Sequence, residues 1–163
     1  MNIIFHKDSH ETYTLECIRL DGSSTTSALD TKSFLKHDLL HYAIESTAGL
    51  HGSFFGQIEQ GKNLEQMTPK AMRDEPEQMG SEEARITEML TGMFTGYIKS
   101  GVETDEFLVG ARTVFAAHDI PVPSFLIVEY AEEVKRVYLM LVSRWENMKT
   151  KQSFSVDFPR LLS

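Results

Sequence analysis

The chain has 163 residues, 41% of them hydrophobic and 25% charged, a balance that excludes disordered, collagenous and disulfide-stapled proteins. Lys and Arg number 16 against 24 Asp and Glu, a formal charge of −8 that lacks the basic footprint of a nucleic-acid or lipid-surface binder. The length suits a single domain over 1–163 around one core, with no nucleic acid and no membrane among its partners.

Met1 to Asp8 turns polar after Ile3, Ile4 and Phe5, too soon for the apolar region of a signal peptide. The mainly apolar runs Phe125 to Val128 and Val137 to Val142 fall short of a membrane span, so the expected location is cytoplasmic. Asn2 to His6 reads as a strand. Thr12 to Leu20 reads as a second, with Tyr13, Leu15 and Cys17 on one face. The turn Asp21-Gly22-Ser23-Ser24 leads to a third over Thr25 to Leu29. Cys17 is the single cysteine and reads as a small buried hydrophobe with no disulfide partner.

From residue 34 the apolar period changes to that of a helix, which predicts one over Phe34 to Ala48, stopped by Gly49. A shorter helical turn follows over Gly52 to Gln60. Lys62 to Gly80, with Pro69 and Pro76, reads as a mobile loop; residues 59–88 carry eight acids and four bases. Ser81 caps a helix with Glu82 and Glu83 in its first turn and an apolar stripe of Ile86, Met89, Leu90, Met93, Phe94, Tyr97 and Ile98. The next opens at Thr104, buries Phe107, Leu108, Ala111, Val114 and Phe115, and stops before Pro121. A last helix is expected from just after Pro123 to Met148, its Lys135, Arg136, Arg144, Lys149 and Lys151 forming a solvated basic face with a Glu132–Arg136 pair. Ser153 to Phe158 alternates as a closing strand. The fold class is α+β, a small antiparallel sheet of three N-terminal strands plus a C-terminal strand, covered by four to five helices.

One polar constellation stands out. At about 100° per residue, His37, His41 and Glu45 fall on one longitudinal line of the first helix, beside the apolar arc of Leu39, Leu40, Ala43 and Ile44. Two histidines at i and i+4 can share a metal ion, and Glu45 one turn on can be a third ligand or can orient His41. Asp38 then serves as general base or orienter. Further ligands could come from His51, His6 or His10. The plain reading of the same residues is a core-margin His37, a surface His41–Glu45 pair and a solvated Asp38.

His37-Asp38-Leu39-Leu40-His41 imitates the His-Glu-x-x-His of zinc proteases with a shorter acid, and it lacks a downstream third-ligand signature. Lys36 to Glu45, the Arg19 to Ser23 turn before it and Gly56 and Gly61 after it resemble an uncharacterised bacterial family. In that family the helix begins Pro-His-Asp-Leu, then His, an aromatic and Glu; this chain has Lys36 at the proline position. The resemblance implies an initial small sheet, with His37, Asp38, His41 and Glu45 at the matching positions, and no assigned activity.

Other motifs fail in context. Gly56 to Asn63 matches a P-loop up to Lys62 but ends in Asn, so the magnesium-binding hydroxyl is missing. His118-Asp119 is explained by a helix end. Two functional classes remain. The one placed first is a non-enzymatic interaction or regulatory protein, with a protein partner or a second copy of itself. The alternative is a metal-dependent, hydrolase-like site of His37, His41 and Glu45, with Asp38 as base and zinc, manganese or iron as the cofactor.

Overall fold

The computed structural model describes residues 1–67 and 81–159. The mobile loop expected over 62–80 therefore lies outside the described residues from 68 onward, and Leu64–Met67 before it form a short 3-10 turn. Strands β1 (Asn2–Lys7), β2 (Thr12–Ile18), β3 (Ser24–Asp30) and β4 (Ser153–Asp157) make one antiparallel sheet in the order β3-β2-β1-β4. β1 pairs with both β2 and the closing strand, with Phe5 opposite Leu15 on one side and Phe154 on the other. Strand alternation turns Ile3, Phe5, Tyr13, Leu15 and Cys17 to the same face, where each is fully buried. Burial also pushes the Cys17 thiol up to about 12, as befits a packed, unreactive cysteine.

The helices are α1 (Lys36–Ala48), α2 (Phe54–Glu59), α3 (Glu82–Ser100), α4 (Thr104–Ala117) and α5 (Val128–Glu146). The α+β class is as expected, and the helices cover the apolar face of the sheet. A π-helical turn over Thr31–Leu35 precedes α1, and Asp30 caps it by accepting the Ser33 amide at 2.7 Å. Gly49 ends α1 in the left-handed conformation, φ 67°, which glycine adopts without strain.

α1 divides two apolar clusters. Its Leu39 joins Phe5, Tyr13, Phe55, Leu141 and Trp145 against the sheet. Its Leu40 and Ile44 join Leu90, Phe94, Phe115 and Val134 among the helices. α5 and α3 both pack on α1, and Tyr130 of α5 donates its hydroxyl to the Ile44 carbonyl at 3.2 Å. With partners on several sides, α1 has little freedom to shift, so side chains on its remaining edge are held in place.

Four expectations need correcting, the simplest being Val114, expected among the buried side chains but 37% exposed on α4. The last helix begins at Val128 rather than after Pro123. Leu126, 2% exposed, is tucked into the core by a turn in which its amide donates to the Pro123 carbonyl, and Ile127 stays extended as the cap. Arg136 pairs with Glu133, Nη2 to Oε1 at 2.6 Å, rather than with Glu132. The buried stripe of α3 is turned toward Ala84, Thr87, Leu90, Thr91, Phe94 and Tyr97, while Ile86, Met89, Met93 and Ile98 are only partly buried. Thr87 and Thr91 can face the interior because their hydroxyls donate to the carbonyls of Glu83 and Thr87.

The loop between α1 and α2 is tightly folded. A Cβ on Gly56 would run into the backbone of His51, so only glycine allows that approach. Gly56→Ala is expected to cost about 1–3 kcal/mol of stability, the range for forced overpacking, as a lowered urea midpoint at unchanged slope.

Candidate metal centre

α1 places His37 and His41 one turn apart, their ring centroids 4.4 Å from each other. α3 brings Glu88 across to them. The N-terminus of α3 is anchored to the chain just after α1: Ser81 Oγ donates to the Gly52 carbonyl at 2.7 Å, and the Gly52 amide donates to Glu83 at 2.6 Å. Ser81 also caps the helix by accepting the Ala84 amide at 3.3 Å, as the sequence predicts. From that anchor Glu88 reaches His41 Nε2 with Oε1 at 3.2 Å and His37 Nε2 with Oε2 at 3.7 Å. The candidate ligand atoms of the three residues all lie within 4.8 Å of one another. Bonds of about 2.0–2.2 Å to one ion put neighbouring ligand atoms roughly 3–3.5 Å apart, so the three side chains would have to draw in to hold an ion.

Each histidine has a carboxylate on its other nitrogen. His41 Nδ1 lies 3.0 Å from Glu45 Oε1, and His37 Nδ1 lies 3.6 Å from Asp38 Oδ1. The second oxygen of Glu45 accepts the amides of Phe55 at 2.8 Å and Gly56 at 3.4 Å. Asp38 accepts a short hydrogen bond from the Tyr13 hydroxyl across the sheet. The surface pair and solvated aspartate of the plain reading are thus overturned. Glu45 is fully buried, His41 is 2% and Asp38 6% exposed, because the sheet, α2 and α3 close over that edge of α1. Glu45 sits on the side of His41 away from Glu88, with one oxygen on the ring's Nδ1 and the other on the α2 amides.

The electrostatics follow from this crowding. Burial disfavours a charge on His41, but the Glu45 and Glu88 carboxylates outweigh it and hold the ring's pKa up at about 9. Asp38 and Glu88 raise that of His37 against burial and the neighbouring His41. Burial raises Glu45 despite the His41 contact and the two amides, while the two histidines hold Glu88 well below the usual carboxylate range. Three carboxylates face two imidazoles, and among the described residues no Lys or Arg is bonded to them.

His41 Nε2 is buried and makes no hydrogen bond among the described residues; Glu88 is near it but off the bonding direction. With Nδ1 donating to Glu45, Nε2 carries the second proton of the charged ring toward Glu88, and in the neutral ring its lone pair is free to take a metal ion in that proton's place.

No family model, no curated protein and no solved structure matches this chain. The chemistry of the cluster is therefore read from its own residues.

The remaining histidines stay away. His6 is on the other face of the sheet, 2.9 Å from Glu16, His10 lies in an exposed turn, and His51 pairs with Glu59 at 3.0 Å. His118 is the C-terminal cap of α4. The Gly56 to Asn63 segment starts inside α2 beside a wholly antiparallel sheet, so no phosphate-binding loop forms there. Among the described residues no helix is long and apolar enough to cross a membrane. The sequence reading missed Glu88. Its signal is the pair Thr87 and Thr91, both buried, with Glu88 next to them at the margin of the buried side of α3.

Proposed function

We propose that the chain holds one divalent transition metal on His37, His41 and Glu88, with Asp38 and Glu45 orienting the two rings, and that its function is metal-dependent, hydrolase-like chemistry at that ion. The observation that carries this reading is the convergence of His37, His41 and Glu88, with His41 Nε2 buried and without a hydrogen bond among the described residues. Two imidazoles and a carboxylate suit zinc, iron or manganese. A carboxylate hydrogen-bonded to the outer nitrogen, as Glu45 is to His41 at 3.0 Å, is the usual support of such a ligand, since it fixes the tautomer and raises ring basicity; Asp38, 3.6 Å from His37 Nδ1, is a charge partner.

The cluster is buried on one side and open on the other. His37 is 46% and Glu88 59% exposed, so an ion there keeps coordination positions free for water or substrate, the arrangement of catalytic rather than structural sites. A metal held by His37, His41 and Glu88 would supply Lewis acidity toward water or substrate. The burial of Asp38, His41 and Glu45 supports this reading over the plain one of a surface His41–Glu45 pair and a solvated Asp38.

Zinc titration calorimetry across pH tests it. Metal must displace the proton that His41, raised to about 9, carries at neutral pH. Zinc affinity is expected to rise with pH, with protons released on binding, because His41 and His37 both have raised pKa values and must give up their protons to the ion. Without metal, the raised His41 contributes stability that is complete below its unfolded value near 6.5 and is lost as pH rises through about 9. The gain in thermal midpoint on adding zinc therefore grows with pH across the same window. A pH-independent affinity, or no binding, contradicts the proposal.

A further inference from the structure

Ser53 occupies the cap position of α2, yet its side chain caps nothing: the hydroxyl is fully buried without a hydrogen-bond partner. A capping serine normally accepts the amides two and three residues on, here Phe55 and Gly56. Both instead donate to Oε2 of Glu45, a side chain from α1, at 2.8 and 3.4 Å. The other oxygen, Oε1, is 3.0 Å from His41 Nδ1. One fully buried carboxylate thus joins the start of α2 to a ring of the metal cluster.

We infer that Glu45 is a positioning residue that couples metal occupancy to the order of the 50–60 segment; the inference rests on the metal-binding reading above. A metal on Nε2 requires the His41 tautomer with hydrogen on Nδ1, and only an acceptor at Oε1 supports that tautomer. The same carboxylate must present its second oxygen to α2. Relative to a neutral ring, binding the ion draws electron density from the imidazole and strengthens the Nδ1–H to Oε1 bond, which holds Glu45 in place beneath the Phe55 and Gly56 amides. The segment it secures is tightly built, with the Leu50 amide donating to the Glu45 carbonyl at 3.0 Å and the Gln60 side chain to the His51 carbonyl at 2.6 Å. Phe54 lies edge-on to His41, ring centroids 5.7 Å apart, so the start of α2 also forms part of the wall beside the ring.

Glu45→Gln separates the two duties. Glutamine keeps the shape but has one acceptor and one donor end. With its oxygen on the α2 amides, its NH2 faces His41 and forces hydrogen onto Nε2, removing the ligand. With its oxygen on His41, its NH2 meets two amide donors and α2 loses its cap.

The test is amide hydrogen exchange and imidazole 15N NMR on the wild-type chain, without and with zinc alone, beside Glu45→Gln. The expected result is that zinc slows exchange at Phe55 and Gly56 on the order of tenfold more than in the middle of α5, at zinc about 100 times Kd. His41 should then report Nδ1–H, and Glu45→Gln should lower zinc affinity roughly 10–100-fold. Wild-type protein that binds zinc without selective slowing at those two amides overturns the coupling and leaves the metal site standing. So does Glu45→Gln that binds zinc as tightly as wild type. Wild-type protein that binds no zinc overturns both. The wild-type measurements decide the matter even if the variant fails to fold.

Discussion

Glu88→Gln is expected to weaken zinc binding by more than about 100-fold while leaving the fold almost untouched. Loss of an outer partner of a ligand costs about 10–100-fold, and loss of a ligand itself costs more. Glu88 makes the cleaner test of the cluster because it is 59% exposed and comes from a different helix than the two histidines. Its carboxylate contributes to the metal-free protein only as a partly solvated ion pair, worth about 0–1 kcal/mol. A structural role for the cluster reverses the pattern, with a changed thermal midpoint and unchanged zinc affinity. Isothermal titration with zinc, beside thermal melts in chelator, reads both quantities on the same preparations.

Glu45→Ala is expected to be the most damaging single change at the site, costing about 3–5 kcal/mol in the metal-free protein, as for removing one partner of a buried ion pair. Three groups lose their acceptor at once: His41, 2% exposed, and the amides of Phe55 and Gly56. The cavity left by a fully buried side chain adds to the loss. Surface helix pairs at the same spacing are worth only about 0.2–0.5 kcal/mol, so the size of the effect separates the buried network from a solvated one. Urea denaturation in the presence of chelator measures it, and a loss below about 1 kcal/mol contradicts the arrangement described here.

The sheet was legible in the sequence because strand alternation has a period of two and the burial of Tyr13, Leu15 and Cys17 follows it. The longitudinal line of His37, His41 and Glu45 was legible for the same kind of reason, helical geometry acting within one element. Neither rule reaches across elements. Glu88 is 47 residues from His41 and joins it only because Ser81 and Glu83 tie α3 to Gly52. The burial of Asp38 and Glu45 likewise depends on Tyr13 from β2 and the amides of α2, partners that helical spacing within α1 does not reveal. Apolar counting set the stripe of α3 on its methionines and passed over Thr87 and Thr91, whose hydroxyls are satisfied within the helix and so bury at little cost. The late start of α5 has a similar origin, since burial of Leu126 overrides the helix start that Pro123 suggests.

Whether His37, His41 and Glu88 hold a metal ion is decided by elemental analysis of the protein by mass spectrometry. The untagged wild-type protein, loaded with zinc and desalted, is compared with the His37→Ala/His41→Ala double variant. Near one zinc per chain in the wild type and almost none in the double variant is the predicted result. A folded wild-type chain that retains no zinc, and none of manganese or iron offered in its place, contradicts the account.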